Sequence, residues 1–206
     1  MRRRLFKLSL LIGLSFVSTV WAGQPVAIAI HGGAGTITKA KLTAAQEQAY
    51  YKVLTEALDS AHASLLNGQQ GLDVVVNTIA LLEDSPLFNA GHGAVLTYDG
   101  VHELDAAIMN GATLQAGAVA GVRSIKNPIK AARAVMQHSP HVMLAGSGAD
   151  TFALSQGLEG VDNAYFTTPR RKADLQRFHG NEAAASAQAG DYKFGTVGVV
   201  VLDGFG

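Results

Sequence analysis

The chain has 206 residues, 48% hydrophobic and 16% charged, which suits one folded domain with a real core rather than a disordered segment. Sixteen Lys and Arg balance sixteen Asp and Glu, but Arg2, Arg3, Arg4 and Lys7 all lie in the first seven residues, so the remainder carries a net −4. That acidic body argues against nucleic acid or an anionic membrane as the partner, and the lack of cysteine excludes a disulfide, a thiol nucleophile and a thiolate metal site.

Residues 1–7 form a cationic stretch, residues 8–20 an apolar run too short for a comfortable membrane span, and Val20 and Ala22 supply the small residues of a cleavage site before Gly23. The reading is a signal peptide over 1–22 and an exported, periplasmic protein that has no membrane contact after signal cleavage. An absence of cysteine suits that oxidising compartment.

Residues 26–30 (VAIAI) read as a buried strand entering a tight glycine loop, His31-Gly32-Gly33-Ala34-Gly35. A long helix is expected over 43–66, opened by a Thr43/Gln46 capping box and closed at Asn67-Gly68. A second helix over 72–83 stops before Pro86. Residues 94–98, 101–109 and 114–122 then read as a meander of three antiparallel strands, turning at Asp99-Gly100 and Asn110-Gly111 with the positive φ angles of two-residue hairpins. Asn127 and Pro128 open a third helix as N-cap and first residue, ending near Ser139-Pro140. Residues 141–145 are a strand candidate, 146–148 a loop and 149–156 a short helix. From about 160 to 195 the periodic pattern fades, and most of this stretch reads as a mobile linker with at most a helical turn near 172–178. Residues 196–202 (TVGVVVL) form a strongly β-prone strand.

The Gly195-Thr196 pair stands where a floppy segment meets that strand. If the bond between them were cut, Thr196 would carry a hydroxyl and a free α-amine on one residue. An α-amine titrates near ~8 and can take the hydroxyl proton at neutral pH, which makes a self-contained nucleophile and base. The same hydroxyl could attack the uncrowded Gly195 carbonyl to make the cut. Taken alone the pair is weak, because many strands begin Gly-Thr.

The motifs around it are more specific. The segment His31 to Gly35 resembles the opening of the plant-type L-asparaginases, also called isoaspartyl peptidases, which are N-terminal-nucleophile hydrolases. The resemblance continues through Leu81-Leu82-Glu83-Asp84-Ser85-Pro86-Leu87-Phe88-Asn89-Ala90-Gly91-His92-Gly93 and Glu103-Leu104-Asp105-Ala106. It extends through Ala116-Gly117-Ala118-Val119-Ala120-Gly121-Val122, Asn127-Pro128-Ile129, Ser139-Pro140-His141 and Gly195-Thr196-Val197-Gly198, in the family's order and spacing. It implies an α+β fold, an αββα sandwich of the N-terminal-nucleophile type, made as a precursor that cuts itself between Gly195 and Thr196. Residues 23–195 would form the α subunit, 196–206 the start of the β subunit, and the intact family assembles as (αβ)2.

By the same resemblance Thr196 is the catalytic nucleophile, and L-asparagine and β-aspartyl dipeptides are the small-molecule substrates, hydrolysed to L-aspartate. Asn89, His31, Gly32 and Gly33 would lie near the site, His31 by shaping the glycine loop. No cofactor is expected beyond a structural Na⁺, held mostly by backbone carbonyls of Leu82, Glu83, Ser85, Phe88, Ala90 and His92. The remaining histidines need no role, Glu103 and Asp105 read as a polar strand face, and Arg170 to Lys172 as a solvated part of the linker.

After Asp203 the family continues into a long β subunit that holds its substrate-gripping residues, whereas this sequence reads Gly204-Phe205-Gly206. The expectation is a truncated β subunit, unassignable substrate-binding residues and no hydrolysis by this chain alone. The alternatives are a glycosylasparaginase with the same nucleophile, and a non-catalytic remnant that binds an intact homologue.

Overall fold

The structure, a computed structural model, describes residues 25–33, 42–180 and 196–205. The expected signal peptide, Gly195, the end of the glycine loop and the linker over 181–195 lie outside the described residues.

The described residues form a mixed α/β fold. Strand β1 (Ala27–His31) leads to α1 (Ala44–Leu66), whose capping box forms: the Gln46 N–H donates to Thr43 Oγ1 and the Thr43 N–H to Gln46 Oε1. Helix α2 (Gly71–Glu83) lies against it, and Ala61, Leu65 and Val74 make a small core between the two helices. Strand β5 (Gly198–Leu202) pairs antiparallel with β1, joining the two ends of the described chain. Opposite residues of an antiparallel pair share a face, so Ile28, Ile30, Val199 and Val201 point at the helices while Ala29 and Val200 point away. The Asp203 carboxylate accepts the N–H of Gly71 at 2.6 Å, tying the end of β5 to the start of α2.

A second sheet has the order β2 (Leu104–Met109), β3 (Ala116–Val122), β4 (Met143–Ala145), with β2 and β3 antiparallel and β4 parallel to β3. Helices α3 (Pro128–His138) and α4 (Gly146–Ser155) cover one face of it. Gly117 lets α3 come close: a Cβ there would stand 2.2 Å from the Ala132 carbonyl oxygen. A short 3₁₀ turn (Asn163–Phe166) and α5 (Pro169–Gly180) follow.

Several expectations need correction. Residues 94–98 are not a strand, because their backbone groups are spent on turns: Ala94 N–H donates to Gly91, Val95 N–H to Asn89 Oδ1 and Thr97 N–H to Val101. The third strand of this sheet is β4, running parallel. The turn near Asn110 is wider than two residues, with the Asn110 N–H on the Gln115 carbonyl and the positive φ at Leu114 (61°). Residues 146–148 are the first turn of α4, not a loop. Residues 160–180 are ordered, with Gly160 bridged to Ile125, Phe166 fully buried and α5 in place of a linker. Among the described residues no helix is long and apolar enough to cross a membrane.

Candidate active site at the start of β5

Thr196 stands two residues before β5, exposed, with its hydroxyl only weakly placed on the Val197 carbonyl at 3.4 Å. It opens onto a cleft of about 760 Å³ whose walls include Glu83, Asn89, Gly91, Glu103, Asp105 and Ile129. Thr196 and Asn89 line the same cavity. His31 is the last residue of β1, opposite Gly198, on the outward face of that pair. Gly32 packs beside Phe88 and Leu54, and Gly33 has a positive φ of 119°, a conformation that favours glycine.

The loop that carries Asn89 is held from several sides. Asn89 Oδ1 accepts the Val95 N–H at 2.7 Å and so closes a ring of seven residues. Gly91 (φ 49°) and Gly93 (φ 113°) make the ring possible, since a Cβ on Gly91 would stand 2.4 Å from the Glu83 carbonyl oxygen, and one on Gly93 2.7 and 2.9 Å from those of Pro86 and Phe88. Tyr50 donates its hydroxyl to the Leu87 carbonyl and packs edge-on against the buried Phe88.

The six residues expected at a cation site fall on this loop and the turn of α2 before it. Leu82 and Glu83 end α2, their carbonyls accepting the N–H groups of Ser85 and His92; Ser85, Phe88, Ala90 and His92 follow along the loop. The donor set is one of neutral backbone oxygens, and no cluster of three or more His, Asp or Glu side chains that could hold a metal occurs among the described residues. Neutral backbone oxygens are hard donors, a set that suits a hard cation better than a transition metal.

Glu83 also acts through its side chain. Its Oε1 accepts the Ile129 N–H at 3.0 Å, capping α3 in place of Asn127, whose amide instead donates to Asp84. Oε2 is buried without a hydrogen-bond partner among the described residues, and burial pushes this carboxyl up to about 8 against the pull of the Ile129 N–H. The strand expected over 101–109 begins only at Leu104, so Glu103 precedes it and shares no strand face with Asp105; Glu103 pairs with Arg123 and Asp105 accepts the Gly121 N–H.

Two groups that the sequence assigns no role matter here. His102 is fully buried: Nδ1 donates to the Val95 carbonyl at 3.2 Å, because a carbonyl can only accept, and Nε2 accepts from the Thr167 hydroxyl at 2.9 Å. Burial holds its pKa below the usual histidine value. Arg171, expected in a solvated linker, is 13% exposed and donates from Nε to the Gly93 carbonyl at 2.6 Å. The signal that could have found it is Thr168-Pro169, an N-cap followed by a first-turn proline; the Arg171 N–H indeed points to Thr168 Oγ1 at 3.3 Å.

A family model described as Asparaginase matches residues 24–206. The chain is 48% identical over 184 residues to the isoaspartyl peptidase of Salmonella typhimurium, covering 87% of this chain and 59% of that protein. It is 46% identical over 181 residues to the isoaspartyl peptidase of Escherichia coli, covering 85% of this chain and 56% of that one. It is also 48% identical over 149 residues to the plant-type L-asparaginase of Pyrococcus abyssi, covering 71% and 46%. The chain thus spans just over half the length of the bacterial relatives. A match running through the Asn89 loop, both sheets and Thr196 places it, by ancestry, in the plant-type L-asparaginase/isoaspartyl peptidase family.

Proposed function

We propose that the intact protein is a self-processing hydrolase of the side-chain amide of L-asparagine and of β-aspartyl dipeptides, with Thr196 as nucleophile. The observation that carries the reading is that Thr196 and Asn89, from distant parts of the chain, line one cleft in a chain 46–48% identical to two bacterial isoaspartyl peptidases.

In the proposed maturation, Thr196 Oγ attacks the Gly195 carbonyl carbon, the peptide C–N bond breaks, and the acyl group moves to oxygen. Water then cleaves that ester, leaving a carboxylate on Gly195 and a free α-amine on Thr196. In turnover the amine takes the hydroxyl proton while Oγ attacks the substrate's side-chain carbonyl. The leaving ammonia or amino acid takes that proton back, and water, deprotonated by the same amine, hydrolyses the aspartyl ester. General-base assistance of this kind contributes roughly 10²–10⁴ in rate. Asn89, fixed by the Val95 N–H, would hold the threonine or its neighbours with its amide. The carbonyls of Leu82, Glu83, Ser85, Phe88, Ala90 and His92 would hold a Na⁺-type ion. When bound, that ion supplies charge that gathers carbonyl dipoles and stiffens the Asn89 loop.

The αββα sandwich, the α and β subunits meeting at 195/196, the (αβ)2 assembly and periplasmic export belong to the same reading. It is tested on full-length protein by intact mass and by hydrolysis of a β-aspartyl dipeptide. Wild type should yield a species ending at Gly195 and another starting at Thr196, and should release aspartate. Thr196→Ala should stay uncut and drop to background, whereas Thr196→Ser should retain cleavage at a reduced rate. An uncut wild type, or an active Thr196→Ala, would sink it. Hydrolysis of glycosylated asparagine in preference to the dipeptide would move the substrate to the sugar-linked amide.

A further inference from the structure

Resting on the hydrolase reading above, we propose that Arg171 is a positioning residue: its guanidinium, clamped on the Gly93 carbonyl, fixes where the Asn89 amide stands in the cleft that Thr196 enters. Gly93 lies inside the ring that the Asn89–Val95 hydrogen bond closes, so a shift at Gly93 is passed to Asn89. Both of its backbone polar groups are taken by one segment: the N–H by the Phe166 carbonyl at 3.0 Å and the C=O by Arg171 Nε at 2.6 Å. On the other side of Asn89, Arg170 Nη1 donates to the Tyr50 hydroxyl, which in turn donates to the Leu87 carbonyl. Two adjacent arginines of α5 therefore straddle Asn89, one reaching Leu87 through Tyr50 and one gripping Gly93 directly.

Arg171 is costly where it stands. It is nearly buried, its acidic neighbour Asp174 lies 3.7 Å away, and Asp174 also pairs with the exposed Arg177. A charged donor on a neutral carbonyl is a strong and directional hold, and the planar fork adds orientation that an ammonium would not. Loop, 3₁₀ turn and α5 all precede Gly195, so the proposed cut would leave the whole clasp in one subunit.

The test uses full-length protein with Arg171→Met, Arg171→Lys and, as control on the same helix, Arg177→Ala. Amide hydrogen exchange at Val95 reads the clasp directly, and dipeptide hydrolysis reads its consequence. Arg171→Met should exchange at Val95 about 10-fold faster or more than wild type, as loss of a charged hydrogen bond implies. Its kcat should fall about 10–100-fold with KM within about twofold, and millimolar guanidinium should restore part of the rate. Adding Arg171→Met to Asn89→Ala should cost little further. Wild-type exchange at Val95 in Arg171→Met, or an equal loss in Arg177→Ala, would overturn the proposal. If Arg171→Met does not fold, Arg171→Lys decides: intermediate exchange at Val95 supports the clasp, and wild-type exchange overturns it. If wild type fails to hydrolyse the dipeptide, the hydrolase reading falls, while the exchange comparison still judges the clasp.

Discussion

Around Asn89, single residues act by denying space or by holding one proton. Gly93 has both constraints of a required glycine: a φ of 113° and, where a Cβ would go, two carbonyl oxygens within 2.9 Å. Gly93→Ala should therefore cost about 2–3 kcal/mol, from backbone strain and overpacking together, read as a lowered midpoint in urea. His102 makes a different contribution, because its neutral ring is what fits between Val95 and Thr167. Burial lowers its pKa in the fold, so below the ordinary value of 6.5 the unfolded chain binds a proton that the folded chain resists. Its contribution is complete above pH 6.5 and is lost as pH falls towards the depressed folded value. His102→Asn should remove that part of the slope: stability measured against pH should be flatter for the variant than for wild type below about pH 6.5, and equal slopes would refute the assignment.

At the scale of elements, α3 on the second sheet shows how closely a helix can approach when a strand omits one side chain. Gly117→Ala places a carbon 2.2 Å from the Ala132 carbonyl and 2.5 Å from the Met136 nitrogen, so the helix has to move. A loss of about 1–3 kcal/mol in urea unfolding is expected, whereas Gly111→Ala, with open space at its Cβ, should be near neutral. The elements that were legible in the sequence carry their own local signals: the Thr43/Gln46 box, Pro128 at a first turn, the β-branched run of β5. The elements that were not legible owe their form to distant partners. Residues 94–98 are apolar enough for a strand, but Asn89 and Gly91 take their N–H groups and leave no ladder to join. The 3₁₀ turn and α5 bury little of their own surface beyond Phe166, so no periodic stripe marks them; what orders them is polar contact with Gly93, His102 and Tyr50. The same reason hid the site's support: the sequence points to Thr196 and Asn89 as motif residues, but Arg171 and His102 matter only through what they touch.

In the molecule as a whole, the two sheets are finished to different degrees. The β2-β3-β4 sheet has α3 and α4 across one face, but the β1-β5 pair is two strands wide among the described residues, with a free edge on each side. Its helix-facing residues are covered, while on the other face Val200 is 73% exposed and Leu202 47%. A narrow apolar face flanked by open backbone edges is a template for another strand. In the proposed intact hydrolase that strand would come from the remainder of the β subunit. In the 206-residue chain by itself the available partner is a second copy, so the chain should self-associate with rising concentration in sedimentation velocity. Val200→Lys with Leu202→Lys should shift it towards monomer, since both positions point away from Ile28, Ile30, Val199 and Val201 and leave the helix-facing core unchanged. Far-UV circular dichroism should be retained in the double variant. A chain that stays monomeric without these lysines, or that unfolds with them, would mean that the outward face is already covered, and the case for an added strand would fail with it.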